Sequence, residues 1–163
     1  MSSENGDATF IVLITTALIL IFILFLAMIV FLNNVNLIVH NLKNDLFLIG
    51  RNTLFAIDRD MMGEDIESFY EVDFEKLVKE GMCKAWNLDD NLKGDGGIVK
   101  EANLSEVKLL KRGEVDIIKN KAVKVPTIHI LVKVKITPII FTSVFKDKFI
   151  FNLHEDVRIE KYN

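Results

Sequence analysis

The chain has 163 residues, half of them hydrophobic, with a formal net charge of −3 and a mean hydropathy of +0.30. That length suits one domain plus an appendage and not two full domains. Lysine and arginine first occur at Lys43 and are interleaved with carboxylates from there on. Such a mixed surface offers no basic field to a phosphate backbone, which argues against nucleic-acid binding.

The first seven residues, Met1–Asp7, form a short polar leader that carries Glu4 and Asp7. Residues 8–32 are then a continuous apolar run, broken only by Thr9, Thr15 and Thr16. As a helix of about 25 residues it rises about 37 Å, and a hydrocarbon core is about 30 Å thick. Threonine hydroxyls can bond back to the preceding turn, so these three cost little in lipid. Leu, Ile, Phe and Val cover every face, and a helix apolar all round is either buried in a large protein or lies in lipid. A chain this short has no core large enough to hide it, so the run is expected to span a membrane. A cleaved secretory signal fits less well, because the leader has no Lys or Arg and the run is too long. Lys43, Arg51 and Arg59 follow the span; counting them places the domain inside, by a rule that weakens for long translocated domains.

Residues 33–62 extend the helix. Val35, Ile38, Leu42, Leu46, Ile49 and Thr53 recur at three- and four-residue spacing, which predicts one buried face. Asn33, Asn34, Asn36, Asn41 and Asn44 supply a polar face. The expected element is one rod, apolar at its start and amphipathic beyond, with its outer part packed on a sheet. Residues 63–163 are expected to form a soluble α+β domain. Met62–Asp65 predicts a turn, and a second helix is expected over Asp73–Trp86 with Phe74, Leu77, Val78, Met82 and Ala85 on one side. Asn87–Gly97 reads as a loop, with Gly94-Asp95-Gly96-Gly97 as its breaker.

The period then changes from helical to alternating. Ile128, Ile130, Val132, Val134 and Ile136 point one way, against His129, Lys133 and Lys135. Phe149, Phe151, Leu153, Val157 and Ile159 alternate with Asn152, His154, Asp156, Arg158 and Glu160. One apolar and one wet face predicts an antiparallel sheet of three to five strands covered on one side. Val107–Leu110 and Val115–Ile118 flank Lys111-Arg112-Gly113-Glu114 as an expected hairpin. Pro138 is expected to start a short helical or turn segment through Phe145.

No catalytic constellation, cofactor motif or metal-ligand spacing is present. His40, His129 and His154 are the only histidines, and none has a second ligand at helical metal spacing. His154 and Asp156 share a strand face and read as solvated, because zinc needs three or four ligands. Asp89, Asn91 and Gly94 match the first, third and sixth positions of a calcium loop. Lys93 and Lys100 stand at its fifth and twelfth, where ligands are required. Glu64, Asp65 and Glu67 read as a solvated charge run. Gly94–Gly97 lacks the ending of a phosphate loop, and no nucleophile elbow occurs. Cys83 is the single cysteine and is expected to pack as a small hydrophobe; an intermolecular disulfide is the other reading, in an oxidising compartment.

Gly6-Asp7-Ala8-Thr9-Phe10-Ile11-Val12, a glycine and short polar step opening into an apolar helix, resembles the start of type IV pilin-like proteins, especially tight-adherence (TadE-like) minor pilins. The likeness covers about the first 60 residues in sequence and the remainder in layout. It implies a structural, non-enzymatic subunit of a pilus or secretion filament. It also implies peptidase cleavage between Gly6 and Asp7, and a domain outside the cytoplasm. The implied partners are the lipid bilayer and other pilin-like subunits, copies of itself included, or assembly-platform proteins. Ile11 stands where a type IV pilin has glutamate, and the leader lacks the usual basic residues. The other reading is a single-pass membrane-anchored binding or sensor module that keeps its N-terminus.

Overall fold

The computed structural model describes residues 3–61, 73–116, 118–125, 127–138 and 149–158, and side chains from residue 9 to 54 within the first of these spans. The expected turn at Met62–Asp65, the charge run Glu64, Asp65 and Glu67, and the segment after Pro138 lie outside the described residues, as do Ile159 and Glu160. The chain is α+β: helix α1 (Ser3–Met61), helix α2 (Phe74–Trp86), and strands β1 (Val99–Leu110), β2 (Val115–Asp116), β3 (Lys121–Ala122), β4 (Thr127–Ile136) and β5 (Phe149–Arg158). It divides into two units, Met1–Leu37 and Ile38–Asn163.

In the first unit α1 carries its apolar residues outward. Phe10 is 66% exposed and Leu24 70%, and the large apolar side chains between them are exposed as well. The hydroxyls of Thr15 and Thr16 donate to the carbonyls of Ile11 and Val12, each at 2.8 Å. Both therefore satisfy themselves within the helix, as the apolar setting requires.

The second unit is built on an antiparallel sheet of order β1-β4-β5, with a separate β2-β3 ladder. Ile128, Ile130, Val132, Val134 and Ile136 on β4 are fully buried, together with Leu153 on β5. Each such burial contributes about 1.5–3 kcal/mol. The register sets Val132 opposite Leu153 and Ile128 opposite Val157, so the apolar sets of both strands share one face. Ile38, Leu42, Leu46, Ile49 and Thr53 of α1 are buried at the predicted spacing, and the four apolar ones belong to the same core cluster as the sheet. Contact is close at Gly50, where an added Cβ would come within 2.6 Å of Val157 Cγ2.

Helix α2 starts at Asp73, whose side chain accepts the Lys76 N–H. It ends at Asn87, left-handed at φ 53°, whose N–H reaches the Cys83 carbonyl. Its buried residues are Val78, Met82 and Trp86, so Ala85, expected on this face, is exposed instead. The 3.6-residue period rotates the face toward Trp86. An added Cβ at Gly81 would meet Ile49 Cγ2 at 2.6 Å, so the two helices also touch closely. Trp86 Nε1 donates to Asp45 Oδ2 at 3.2 Å and joins α2 to α1.

One expected pairing is corrected. Val107–Leu110 does not form a hairpin with Val115–Ile118. Strand β1 pairs along its length with β4, while Val115 and Asp116 pair with Ala122 and Lys121. The Lys111–Glu114 turn exists, with Glu114 N–H donating to the Lys111 carbonyl. A long strand with a central partner satisfies many more backbone groups than a four-residue hairpin does, and the turn therefore leads off the sheet.

Candidate functional site

The polar face of the sheet holds a cluster that spacing along the chain does not reveal. In the β4–β5 register His129 lies directly opposite Asp156. His154 is two residues from Asp156 on the same strand and so projects on the same side. The β2–β3 segment adds Asp116. Asp116 Oδ1 accepts the backbone N–H groups of Ile118 and Lys119 at 2.9 and 3.1 Å, which fixes the carboxylate at the start of the turn.

The four side chains meet at their donor atoms. His129 Nδ1 is 2.9 Å from Asp156 Oδ1, and His154 Nε2 is 3.1 Å from the same oxygen. The two ring nitrogens are 3.2 Å apart, and His129 Nδ1 lies 4.0 Å from Asp116 Oδ1. One ligand-type atom from each of the four residues lies within 4.8 Å of all the others. Asp116 and His129 are almost wholly buried, with side chains 2% and 5% exposed. Asp116 Oδ2 is buried and accepts no hydrogen bond from any described residue.

Lys119 closes the outer side through its ammonium contact to Asp156 Oδ2. Burial pushes the Asp156 carboxyl up, but the Lys119 ammonium and then His129, with the electrostatics of His154, outweigh it and hold the group at about 2. Asp156 is therefore anionic at neutral pH, with Oδ2 on the lysine and Oδ1 toward the imidazoles.

His129, expected on the wet face with Lys133 and Lys135, is buried instead. The β2–β3 segment covers that end of the polar face, bringing Asp116 and Lys119 over His129 and Asp156. Lys133, four positions on, remains exposed. His40, on α1, is exposed and not part of the cluster.

The loop after α2 gives a structural reason for its calcium-like pattern. Asp89 Oδ1 accepts the N–H groups of Asn91 and Lys93 at 2.9 and 2.7 Å, so this carboxylate closes the loop. Gly94 stands where the backbone passes so close that an added Cβ would be 2.1 Å from the Val99 carbonyl oxygen. Cys83, expected to be buried, is half-buried, and its thiol donates to the Asp89 carbonyl at 3.2 Å. Burial, and then Asp90, push this thiol up from its ordinary range.

The remaining functional surface is the apolar stretch of α1. Thr9–Leu54 contains a window of mean hydropathy 3.1, long and apolar enough to cross a membrane and not buried in the fold. It fits a membrane anchor. Gly6 and Asp7 lie in the first turns of α1. Comparison with protein-family models, curated proteins and solved structures finds no match to this chain.

Proposed function

We propose that this chain is a single-pass, membrane-anchored structural subunit of a type IV-related, Tad-like pilus or secretion filament, in the manner of a minor pilin or pseudopilin. The supporting observation is the two-part use of α1. Its segment from Phe10 to Val30 leaves large apolar side chains uncovered, whereas Ile38, Leu42, Leu46 and Ile49 are spent on the core of an antiparallel sheet. A helix uncovered on nearly all sides needs lipid or neighbouring helices as its solvent. Lateral packing of copies supplies the second while the domains face water. In this reading the domain lies outside the cytoplasm and Gly6–Asp7 is the processing point.

The test is filament assembly in a strain lacking the gene, with mass spectrometry of the subunit's N-terminus. The expected outcome is loss or shortening of sheared filaments, co-sedimentation of the subunit with them, and a terminus at Asp7. Normal filaments in the deletion strain overturn the reading. A second reading, a tethered binding module, is favoured by the buried His/Asp cluster. It expects an intact leader and a ligand for the domain.

A further inference from the structure

We propose that Asp116, His129, His154 and Asp156 form a structural binding site for a first-row divalent metal ion of the zinc class, one ion per chain. The inference goes beyond the filament reading and does not depend on it.

The donor set has the right chemistry. Two imidazoles and two carboxylates are the nitrogen and oxygen ligands that Zn²⁺ takes, at about 2.0–2.2 Å, in four-coordinate sites. Ligand atoms around such a tetrahedron are separated by about 3.3 Å, the edge that those bond lengths impose. Among His129 Nδ1, His154 Nε2 and Asp156 Oδ1 the separations are 2.9, 3.1 and 3.2 Å, just inside that edge, and a carboxylate oxygen of Asp116 lies within 4.8 Å of all three. The four atoms therefore need only small outward shifts to surround an ion.

The polar accounting points the same way. A neutral imidazole has one N–H and one acceptor nitrogen. At this point both ring nitrogens reach Asp156 Oδ1, and donating to it together leaves their two N–H groups crowded at an N···N separation of 3.2 Å. Asp116 adds a second carboxylate whose Oδ2 is buried without a partner among the described residues. An uncompensated buried carboxylate oxygen is costly. A dication answers both problems, accepting lone pairs from the nitrogens and neutralising the two carboxylates.

Each carboxylate is also held for one-oxygen ligation. Asp156 keeps Oδ2 on Lys119 and turns Oδ1 inward, while Asp116 keeps Oδ1 on two backbone N–H groups and has Oδ2 open. Outer partners of this kind orient metal ligands. With four protein ligands and two of them almost wholly buried, the site has no open position for substrate, which makes it structural. Its mechanical effect is to tie the β2–β3 segment to β4 and β5. Ligands drawn from three strands exist as a set only in the folded chain, so binding adds to folding stability.

The experiment uses the full chain in detergent micelles, stripped with EDTA and then titrated with ZnCl₂ by calorimetry, with Co²⁺ as a spectroscopic substitute. Expected are one ion per chain, a rise in thermal midpoint, and the visible absorption bands of four-coordinate Co²⁺. H154A, at the more exposed edge, should bind at least ~100-fold more weakly, because a direct ligand matters more than the outer partners whose loss costs about 10–100-fold. H40A should bind like the wild type. H154Q serves if H154A fails to fold, as judged by far-UV circular dichroism. Equal zinc affinity in wild type and a folded His154 variant overturns the proposal, as does a wild type that takes up no zinc and gives no Co²⁺ bands.

Discussion

The close contact of Gly50 with the sheet gives a prediction in which two effects of known size oppose each other. Gly50 lies inside α1, where replacing glycine by alanine favours the helix by about 0.8–1.0 kcal/mol. The added Cβ would sit 2.6 Å from Val157 Cγ2 and 3.0 Å from Ile130 Cδ1, both on fully or nearly fully buried residues. Overpacking of this kind costs about 1–3 kcal/mol. The clash should outweigh propensity, so Gly50→Ala is expected to destabilise the domain by about 1 kcal/mol. Val157→Ala alone removes two methyl groups and leaves a small cavity, a loss of about 2 kcal/mol. In the double variant the offending Cγ2 is gone, leaving Val157 Cβ at 3.4 Å and, at 3.0 Å, the far end of the Ile130 side chain, which can turn into the space vacated. There Gly50→Ala should become stabilising by up to about 1 kcal/mol, a coupling of about 2 kcal/mol. Urea unfolding of the full chain in micelles, followed by the fluorescence of Trp86, measures this. Trp86 is the only tryptophan and is buried in the core, so its signal reports this packing. Additivity within about 0.5 kcal/mol, or stabilisation by Gly50→Ala in the wild-type background, would refute the packing of α1 on β5.

Two further outcomes follow from the loop after α2. Gly94→Ala should cost about 2–4 kcal/mol, because the group it strikes is a backbone carbonyl that cannot rotate away, whereas Gly97→Ala, with its nearest atoms at 3.8 Å, should change stability by no more than about 0.5 kcal/mol. The same urea titration decides between them, and equal effects would sink the argument. Cys83 has its thiol pushed up, so less thiolate exists at a given pH and alkylation by iodoacetamide at pH 8 should run more slowly in the folded chain than in urea. Equal rates in the two states would show that the thiol is not held against the Asp89 carbonyl.

Much of the fold follows from periodicity, and the cases where it does not share one cause. The α1 positions Ile38, Leu42, Leu46, Ile49 and Thr53, and the alternating set on β4, are buried as their spacing requires. In each case the burial of a residue depends on its own element's repeat. The partner of β1 and the burial of His129 depend instead on which distant segments meet. A four-residue turn between two apolar stretches reads as a hairpin, yet the chain offers β1 a longer partner in β4. His154 and Asp156 were legible as same-face neighbours, while Asp116 lies 13 residues before His129 and 40 before Asp156. No spacing rule connects them.

By itself, then, the amino-acid order determined the apolar span, the amphipathic extension and the alternating strands, because hydrophobic repeats are local and each element exposes its own. Tertiary structure decided the strand order, the β2–β3 cover and the meeting of two histidines with two aspartates. Those depend on backbone pairing between segments far apart in the chain: a strand's own pattern fixes which face it buries, but not which distant segment it pairs with.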